Sequence, residues 1–270
     1  MTASSFPDVT APDRPTLATL HAYARAVGVL ARAHAVPHPR WWHVSLRLRP
    51  RGLATAVMAV PGGGACEVVM DLADHVVVVE THAGEALRIP MDSGLTGTAM
   101  GDRLIDALAG LGFEAGYARD KFEDGDDRPY DRAAAARYLR MFLSAYGAFE
   151  RFRASLSGDV GPIQVWPHGF DLAFEWFGTR TVVDPETGDE APAQINLGLY
   201  PAGDPYFYSN PWPFDPTLAE TDLPNGAVWH LEGWQGSKLD YETARTAADP
   251  AAVVIGYAAA VHAIAAPDLV

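Results

Sequence analysis

The sequence predicts an α+β protein of two pseudo-repeated halves, in which antiparallel strands are flanked by helices. One observation is a motif that occurs twice, at residues 41–55 and 166–181, with tryptophan, histidine, leucine, glycine and threonine in the same order. Another is a pair of matching segments, 80–87 and 232–239, whose central glycines predict a hairpin in each half. Because the matches are collinear, we predict a duplication about a pseudo-twofold axis, with a cleft between the halves.

The individual elements follow from side-chain periodicity. Leu17, Leu20, Tyr23, Val27 and Leu30 recur at helical spacing, which predicts a helix over residues 16–35. Further helices are predicted at 97–112, 131–156 and 249–265. Strands are predicted at 41–49, 52–60, 66–72, 75–81, 85–89, 162–166, 170–177, 193–200, 227–232 and 236–240.

The predicted domain organisation follows the repeat. It consists of a flexible N-terminus (residues 1–14), a first half-repeat (15–119), an acidic linker (120–130) and a second half-repeat (131–270). The second half contains an insertion at 201–224, where aromatic residues are interspersed with prolines. Long loops without regular structure are uncommon and often serve as lids or binding loops, so we expect this one to cover the cleft.

Composition and charge restrict the partners. The chain has 270 residues, is 49% hydrophobic and carries a formal net charge of −14, which disfavours the phosphate backbone of a nucleic acid. We see no apolar run of the ~20 residues that a membrane span needs, and no secretory signal pattern. The single cysteine, Cys66, cannot form an internal disulfide. We therefore expect a cytoplasmic protein with a small-molecule ligand and neither a nucleic-acid nor a membrane partner.

The carboxylates of the strand predicted at 170–177 are the candidate catalytic groups. Alternation places Asp171 and Glu175 on one face, and His168 lies just before that strand. A histidine beside a carboxylate can act as a base whose ring the carboxylate orients. If the protein is an enzyme, we expect acid–base chemistry through His168 and Asp171, with Glu175 as a second carboxylate.

The candidate ligand-binding residues come from both halves. His43 has the place in the first motif that His168 has in the second. Arg47 lies on the polar face of the matching strand, where a guanidinium suits a carboxylate or a phosphate. Arg47 or Arg49 could instead form a cross-strand ion pair with the carboxylates of the second copy. The full set is Trp42, His43, Arg47, Trp166, Tyr206, Tyr208, Trp212 and His230.

The expected function is that of a small-molecule enzyme or binding protein with a polar, aromatic cleft between two related halves; the cofactor is left open. One alternative is a non-catalytic interaction module that docks through the aromatic loop 201–224. Another is a metal-dependent enzyme that uses His43, His168 and Asp171. The chain lacks the sequence motifs of zinc proteases, serine esterases, P-loop enzymes and dinucleotide enzymes, which disfavours those classes.

Four segments resemble an uncharacterised bacterial domain-of-unknown-function family. They are Trp41-Trp42-His43-Val44, Arg51-Gly52-Leu53, the Trp166-to-Ala173 run with its Phe-Asp-Leu-Ala sequence, and the segment from Tyr241 to Pro250. The resemblance covers about residues 17–266. It implies a soluble bacterial protein without an established activity, supplies no catalytic residues, and favours Asp171 over His168 as a site residue.

Overall fold

The computed structural model describes residues 6–183 and 188–270. The helices in these residues are α1 (Arg14–His34), α2 (Gly97–Gly110), α3 (Arg132–Arg153), α4 (Tyr241–Arg245) and α5 (Pro250–Ala265). The strands are β1 (Arg47–Arg49), β2 (Gly52–Ala54), β3 (Met58–Ala59), β4 (Ala65–Asp71), β5 (Val76–Thr81), β6 (Gly84–Pro90), β7 (Asp159–Val160), β8 (Gln164–Trp166), β9 (Asp171–Val183), β10 (Glu190–Tyr200), β11 (Tyr206–Trp212), β12 (Val228–His230) and β13 (Gly236–Asp240).

The chain forms two compact units, each with its own antiparallel sheet. The N-terminal unit comprises residues 8–140 and 164–170, and the C-terminal unit has residues 6–7, 141–163, 171–183 and 188–270 as its described part. Two antiparallel sheets with flanking helices confirm the predicted α+β class. The duplication itself stays a prediction.

The N-terminal unit is built around a sheet of order β1-β2-β4-β5-β6, with β3 paired to β4. Its inner strand β5 contributes four consecutive buried valines, Val76–Val79, because both of its faces are covered. On α1, Leu20, Tyr23 and Val27 are fully buried, and the Tyr23 hydroxyl donates to the Leu95 carbonyl over 2.8 Å. The helical periodicity therefore predicted the buried face of α1 correctly.

The strand predicted at 41–49 is wrong in its first half. Trp42–Val44 is a 3₁₀ turn, and the strand begins only at Arg47. Trp41 has a φ of 59°, a left-handed conformation that a continuous strand does not allow. The Ser45 hydroxyl donates to the Trp42 carbonyl over 2.8 Å, which stabilises the turn.

Residues 120–130, expected as an acidic linker, are packed within the N-terminal unit. Phe122 is fully buried, and its ring occupies the space that a side chain at Gly101 would need. Asp124 accepts a hydrogen bond from the Arg25 guanidinium at 3.1 Å, and its own N–H donates to the Thr98 hydroxyl at 2.8 Å. The acidic composition of this segment is therefore offset by ion pairing and by a buried aromatic anchor.

The C-terminal unit is built on a sheet of order β12-β13-β11-β10-β9-β7. Its apolar face packs against helices: the Phe149 ring of α3 lies 5.6 Å from the Phe174 ring of β9. Phe6 belongs to the same core, with its ring 5.7 Å from that of Phe207 and 5.7 Å from that of Tyr241. Part of the segment expected to be flexible, residues 1–14, is thus packed, whereas residues 1–5 lie outside the described residues.

The aromatic insertion expected as a loop at 201–224 contains a strand. Residues Tyr206–Trp212 form β11, an inner strand between β10 and β13. The alternation of Tyr206, Tyr208 and Trp212 is that of a strand, but the surrounding prolines suggested irregular structure. Only residues 206–209 of β11 pair with β13. Pro211 lies beyond them, so its missing N–H interrupts no hydrogen bond to β13.

We expected no segment that is long and apolar enough to span a membrane, but the C-terminal helix is one. Among the described residues, Pro250–Leu269 is long and apolar enough for a span, with a mean hydropathy of 1.6 in its best window. In the structure it packs into its own unit: Val254 and Val261 are fully buried, and the Tyr257 hydroxyl lies 2.7 Å from that of Ser237. Since 33% of that window is buried, the core position accounts for only part of its apolar composition.

We predict that Gly178→Ala destabilises the C-terminal unit. A Cβ at Gly178, in β9, would overlap the Leu269 carbonyl oxygen, so the backbone must shift at an expected cost of about 1–3 kcal/mol. Gly147→Ala is the matched control, because this exposed glycine of α3 has open space around it and alanine should add about 0.5–1 kcal/mol. Urea denaturation of both variants measures the two effects, and equal stabilities would contradict the close packing at Gly178.

The buried carboxylate of Asp13 predicts acid sensitivity of the N-terminal unit. Asp13 is 2% exposed and is bound by the Arg137 guanidinium, which lowers the pKa of its carboxyl. A lowered pKa stabilises the fold above the unfolded-state value of 3.8, and this stability is lost as the pH falls through the folded-state value. We expect Asp13→Asn to cost about 1–3 kcal/mol at pH 7, because the buried Asp13 carboxylate is removed from its hydrogen bonds while the part-exposed Arg137 can still be solvated.

The same variant shows whether charge is the cause. The stability difference between the wild type and Asp13→Asn should begin to shrink as the pH falls below the unfolded-state pKa of 3.8. It should go on shrinking until the pH is below the lower folded-state pKa. Denaturant titrations from pH 7 to pH 3 measure it. A difference that does not change with pH would mean that the asparagine acts through packing instead.

Candidate functional site

One face of the C-terminal sheet is polar, and its members come from neighbouring strands. The register pairs Glu175 of β9 with Asn196 of β10, Gly198 of β10 with Tyr208 of β11, and Tyr208 with Lys238 of β13. Directly paired residues point to the same side of a sheet, and Asp171 lies four residues before Glu175 on the same side. We call this surface, formed by Asp171, Glu175, Asn196, Tyr206, Tyr208 and Lys238, the polar face.

Asp171 is oriented by a tyrosine. The Tyr208 hydroxyl donates to Asp171 Oδ2 at 2.5 Å, a length typical of a hydrogen bond to an ionised carboxylate. A Cβ at Gly198 would lie 2.5 Å from the Tyr208 ring, so only glycine lets this ring lie across β10. Burial, and then the negative charge of Asp171, raises the pKa of Tyr208 well above its usual value. Tyr208 therefore keeps its proton and remains a donor.

The centre of the polar face is rich in hydrogen-bond acceptors. Asp171 and Glu175 are only 8% and 9% exposed, although both carry carboxylates. The side-chain oxygen of Asn196, which pairs with Glu175 across the sheet, is buried and has no hydrogen-bond partner within the described part of the chain. Buried polar atoms are nearly always satisfied, so an unsatisfied acceptor beside two buried carboxylates marks a place suited to a donor.

Aromatic rings frame these acceptors. The Lys238 ammonium lies 4.6 Å from the centre of the Tyr206 ring and 5.2 Å from that of Trp234, so two cation–π contacts hold it in place. The Tyr208 and Trp234 ring centres are 6.4 Å apart in an edge-to-face arrangement. This side of the sheet is therefore ordered by ring contacts before any ligand binds.

Several of the sequence-predicted site residues meet on this face. Asp171 and Glu175 on β9 and Tyr206 and Tyr208 on β11 lie on either side of β10 and belong to its centre. Trp212 lies on the same side at the other end of β11, and the His230 ring is 4.5 Å from that of Trp234.

Sequence reasoning missed Asn196, Lys238 and Trp234. Alternation along the strand predicted at 193–200 would have placed Asn196 on one face of the sheet and the buried Leu197 on the other. Lys238 and Trp234 lie in the glycine-centred segment 232–239, which was used only to identify the repeat.

The other predicted residues belong to the N-terminal unit. His43 is 9% exposed, and its Nδ1 accepts a hydrogen bond from the His38 N–H at 3.1 Å. Burial, followed by the nearby positive charge of Arg32, lowers the pKa of His43, so its ring is neutral near pH 7. The Trp42 ring stacks on His38 at 4.4 Å, which gives both rings a role in the packing of this turn.

The arginines of the first motif have partners in their own unit. Arg47 and Arg49 pair in register with Ala54 and Gly52 of β2, and the Arg49 guanidinium forms an ion pair with Glu67. The ion pair expected between Arg49 and the carboxylates of the second copy is therefore replaced by one within the first sheet.

Trp166 is the last residue of β8, and His168 lies on the turn that follows it in the N-terminal unit. Their ring centres are 6.1 Å apart, and the His168 side chain is exposed. His168 and Asp171 fall into different units, so their catalytic pairing stays a prediction. Within residues 6–183 and 188–270, no three His, Cys, Asp or Glu side chains are arranged to hold a metal ion. The metal site of His43, His168 and Asp171 stays a prediction.

The fold and the polar face define an α+β protein whose second sheet carries buried carboxylates in an aromatic frame. Its family can be stated more closely. A family model described as a family of unknown function, DUF5996, matches residues 6–269, and the chain belongs to this family. No curated protein matches the chain, and no solved structure does.

We predict that Tyr208→Phe lowers the free energy of unfolding by about 1–3 kcal/mol, because the buried Asp171 carboxylate loses a donor. Tyr146→Phe is the control, since this half-buried tyrosine lies beside the partly exposed Glu150 and should change stability little. Urea denaturation at pH 7 compares the two. Equal losses would show that the Asp171–Tyr208 hydrogen bond contributes nothing specific.

Proposed function

We propose that this protein binds a small molecule rich in hydrogen-bond donors on its polar face, and that a protonated amine is the best-matched group. The observation that carries the proposal is the buried, unsatisfied oxygen of Asn196 beside the buried carboxylate of Glu175. Ligand sites are typically apolar surfaces with a few convergent polar groups, and here those groups are acceptors. A ligand with several N–H or O–H groups satisfies them.

The charge balance favours an amine over a neutral polyol. The polar face carries two carboxylates, Asp171 and Glu175, against one ammonium, Lys238. An ionised carboxylate that is removed from water is strongly stabilised by a cation. The aromatic rings of Tyr206, Tyr208 and Trp234 add favourable surfaces for a positively charged group.

The face is also rigid enough to bind without large rearrangement. Tyr208 is fixed by its contact with Gly198 and its hydrogen bond to Asp171, and Lys238 is held between two rings. Groups already held in place lose little conformational entropy when a ligand arrives. This pre-organisation supports binding as the function rather than a purely structural role for the polar residues.

The alternative of a docking loop has less support. Residues Tyr206–Trp212 form an inner strand, so their deletion would remove part of the sheet instead of a separate loop. A variant that lacks them would not test partner binding independently of folding. Point substitutions on the polar face are therefore the appropriate test.

The experiment is a thermal-shift and fluorescence titration with defined probes: glucosamine, glucose, ethanolamine and 1,4-diaminobutane. Glucosamine and glucose form the decisive pair, because they differ in the amine at one carbon. We expect glucosamine or a simple amine to raise the melting temperature and to change the tryptophan fluorescence, and glucose to do so less. A ligand at 100 times its dissociation constant stabilises a protein by about 2.7 kcal/mol.

The specificity control is a matched pair of charge-removing variants. Glu175→Gln should weaken amine binding at least tenfold, whereas Glu232→Gln, at an exposed position in the same unit, should leave it unchanged. Equal weakening in both variants would mean that amines bind only to the general negative charge. No response to any of the four probes would contradict the proposal.

The same samples separate binding from catalysis. An enzyme at this face would use Asp171 as its acid–base group, because the Tyr208 hydroxyl fixes the carboxylate in place. NMR spectra of the bound probe after prolonged incubation show whether it is converted. An unchanged probe indicates a binding protein, and a conversion that Asp171→Asn abolishes indicates an enzyme.

A further inference from the structure

A second candidate site lies in the N-terminal unit, outside the polar face. A cleft of about 400 Å³ opens between α1, the 3₁₀ turn at Trp42–Val44, the 3₁₀ turn at Arg119–Lys121 and the turn at Pro167–His168. This volume suits a small organic molecule. Its lining belongs entirely to the N-terminal unit.

The cleft is positively charged in a strongly negative protein. Three cationic side chains, Arg25, Arg32 and Lys121, line it, and Asp120 is the one carboxylate of the lining. Asp120 pairs with Lys121 at 3.3 Å, and Asp124 pairs with Arg25. The three cations and two carboxylates therefore give a local charge of +1, whereas the whole chain has −14. The exposed His168 ring adds a further possible donor. Such a reversal of sign in a concave surface attracts an anion.

The two arginines are held in different ways. Arg25 and Arg32 are seven residues apart on α1, which places them on one side of the helix about 10 Å apart. The Arg25 guanidinium is fixed by an ion pair with Asp124 at 3.1 Å. The Arg32 guanidinium lies over the Trp41 ring at 4.8 Å, and no carboxylate within the described ranges forms an ion pair with it. Arg32 is therefore oriented but not neutralised.

The floor of the cleft is apolar and closely packed. A Cβ at Gly28 would lie 2.7 Å from the Pro167 ring, so glycine is needed for this turn to rest on α1. His21 Nε2 donates to the His168 carbonyl at 3.0 Å and holds the turn in place. Val29 and Val44 complete the apolar lining. A ligand with an anionic group and an apolar body matches both parts.

We infer that this cleft binds a small molecule that carries an oxyanion, either a phosphate ester or a carboxylate, next to an apolar moiety. The oxyanion contacts Arg32 and Lys121, and the apolar part rests on Val29, Val44 and Pro167. Arginine is suited to this task because its planar guanidinium donates two parallel hydrogen bonds to a carboxylate or a phosphate. This site goes beyond the proposed amine-binding face and does not depend on it.

The test uses three probes with the same ring: phenyl phosphate, benzoate and benzyl alcohol. Isothermal titration calorimetry on the full chain should show binding of at least one anion and at least tenfold weaker binding of the neutral alcohol. Tighter binding of phenyl phosphate assigns the site to phosphate esters, and tighter binding of benzoate assigns it to carboxylates. Failure of both anions to bind at millimolar concentration would overturn the inference.

The matched variants are Arg32→Gln and Arg103→Gln. Both arginines are exposed on helices of the N-terminal unit, but Arg103, on α2, is not part of the cleft. We expect at least tenfold weaker anion binding in Arg32→Gln, partial recovery in Arg32→Lys, and a change below twofold in Arg103→Gln. Equal weakening in the two glutamine variants would overturn the inference, because it would reveal a general charge effect.

Discussion

The burial of two carboxylates on β9 is the constraint on which the polar face depends. β9 lies inside its sheet, and every residue from Asp171 to Phe177 is buried. Removing a carboxylate from water costs several kcal/mol unless hydrogen bonds and opposite charges offset it. The Tyr208 hydroxyl is one such compensation for Asp171. Because this hydroxyl must reach across β10, Tyr208 in turn requires a residue without a side chain at Gly198.

Close backbone approach explains why glycines appeared in the sequence repeat. Gly52 and Gly178, the glycines matched between the two copies, each lack room for a Cβ because a backbone carbonyl occupies that space. At Gly52 the carbonyl belongs to Met70, and at Gly178 it belongs to Leu269. The two matched glycines are therefore required for the same physical reason, although the carbonyl that excludes a side chain comes from a different residue in each. The glycines matched in the hairpin segments, Gly84 and Gly236, differ in their physical reason. Gly84 has a positive φ, whereas Gly236 lies in β13, where a Cβ would meet the Ser209 carbonyl oxygen at 2.0 Å.

Local periodicity predicted much of the fold, and its failures have physical causes. The four longer helices and both glycine hairpins were found because amphipathic spacing and turn residues agree there, whereas the five-residue helix α4 was missed. β11 was missed because Pro211 and its neighbours disguised a strand whose aromatic residues alternate normally. The turn at Trp42–Val44 was missed because a tryptophan in the sequence gives no indication of the left-handed φ that Trp41 adopts. Pairing between strands that are distant in sequence, such as that of β11 with β13, leaves no local signal.

For the site, the sequence could predict which residues share a strand face but not which strands are neighbours. Asp171 and Glu175 were found from alternation within one strand. Lys238 was missed, because its position next to Tyr208 depends on the β11–β13 register. Arg32 was missed for a similar reason, because its role depends on the turn at Pro167–His168 that packs on Gly28. Long-range packing therefore carries most of the information about both candidate sites.

The net charge of −14 acts differently on the two proposed ligands. An amine is attracted by the field of the whole protein as well as by the two carboxylates of the polar face, so its association should be accelerated at low ionic strength. An anion that approaches the cleft is repelled at long range and attracted only nearby. At 0.1 M salt the screening length is about 10 Å, close to the distance between Arg25 and Arg32. Salt therefore suppresses the long-range repulsion while the local charge of +1 in the cleft, carried by Arg32, remains effective. Physiological ionic strength thus favours the anion site more than dilute buffer does.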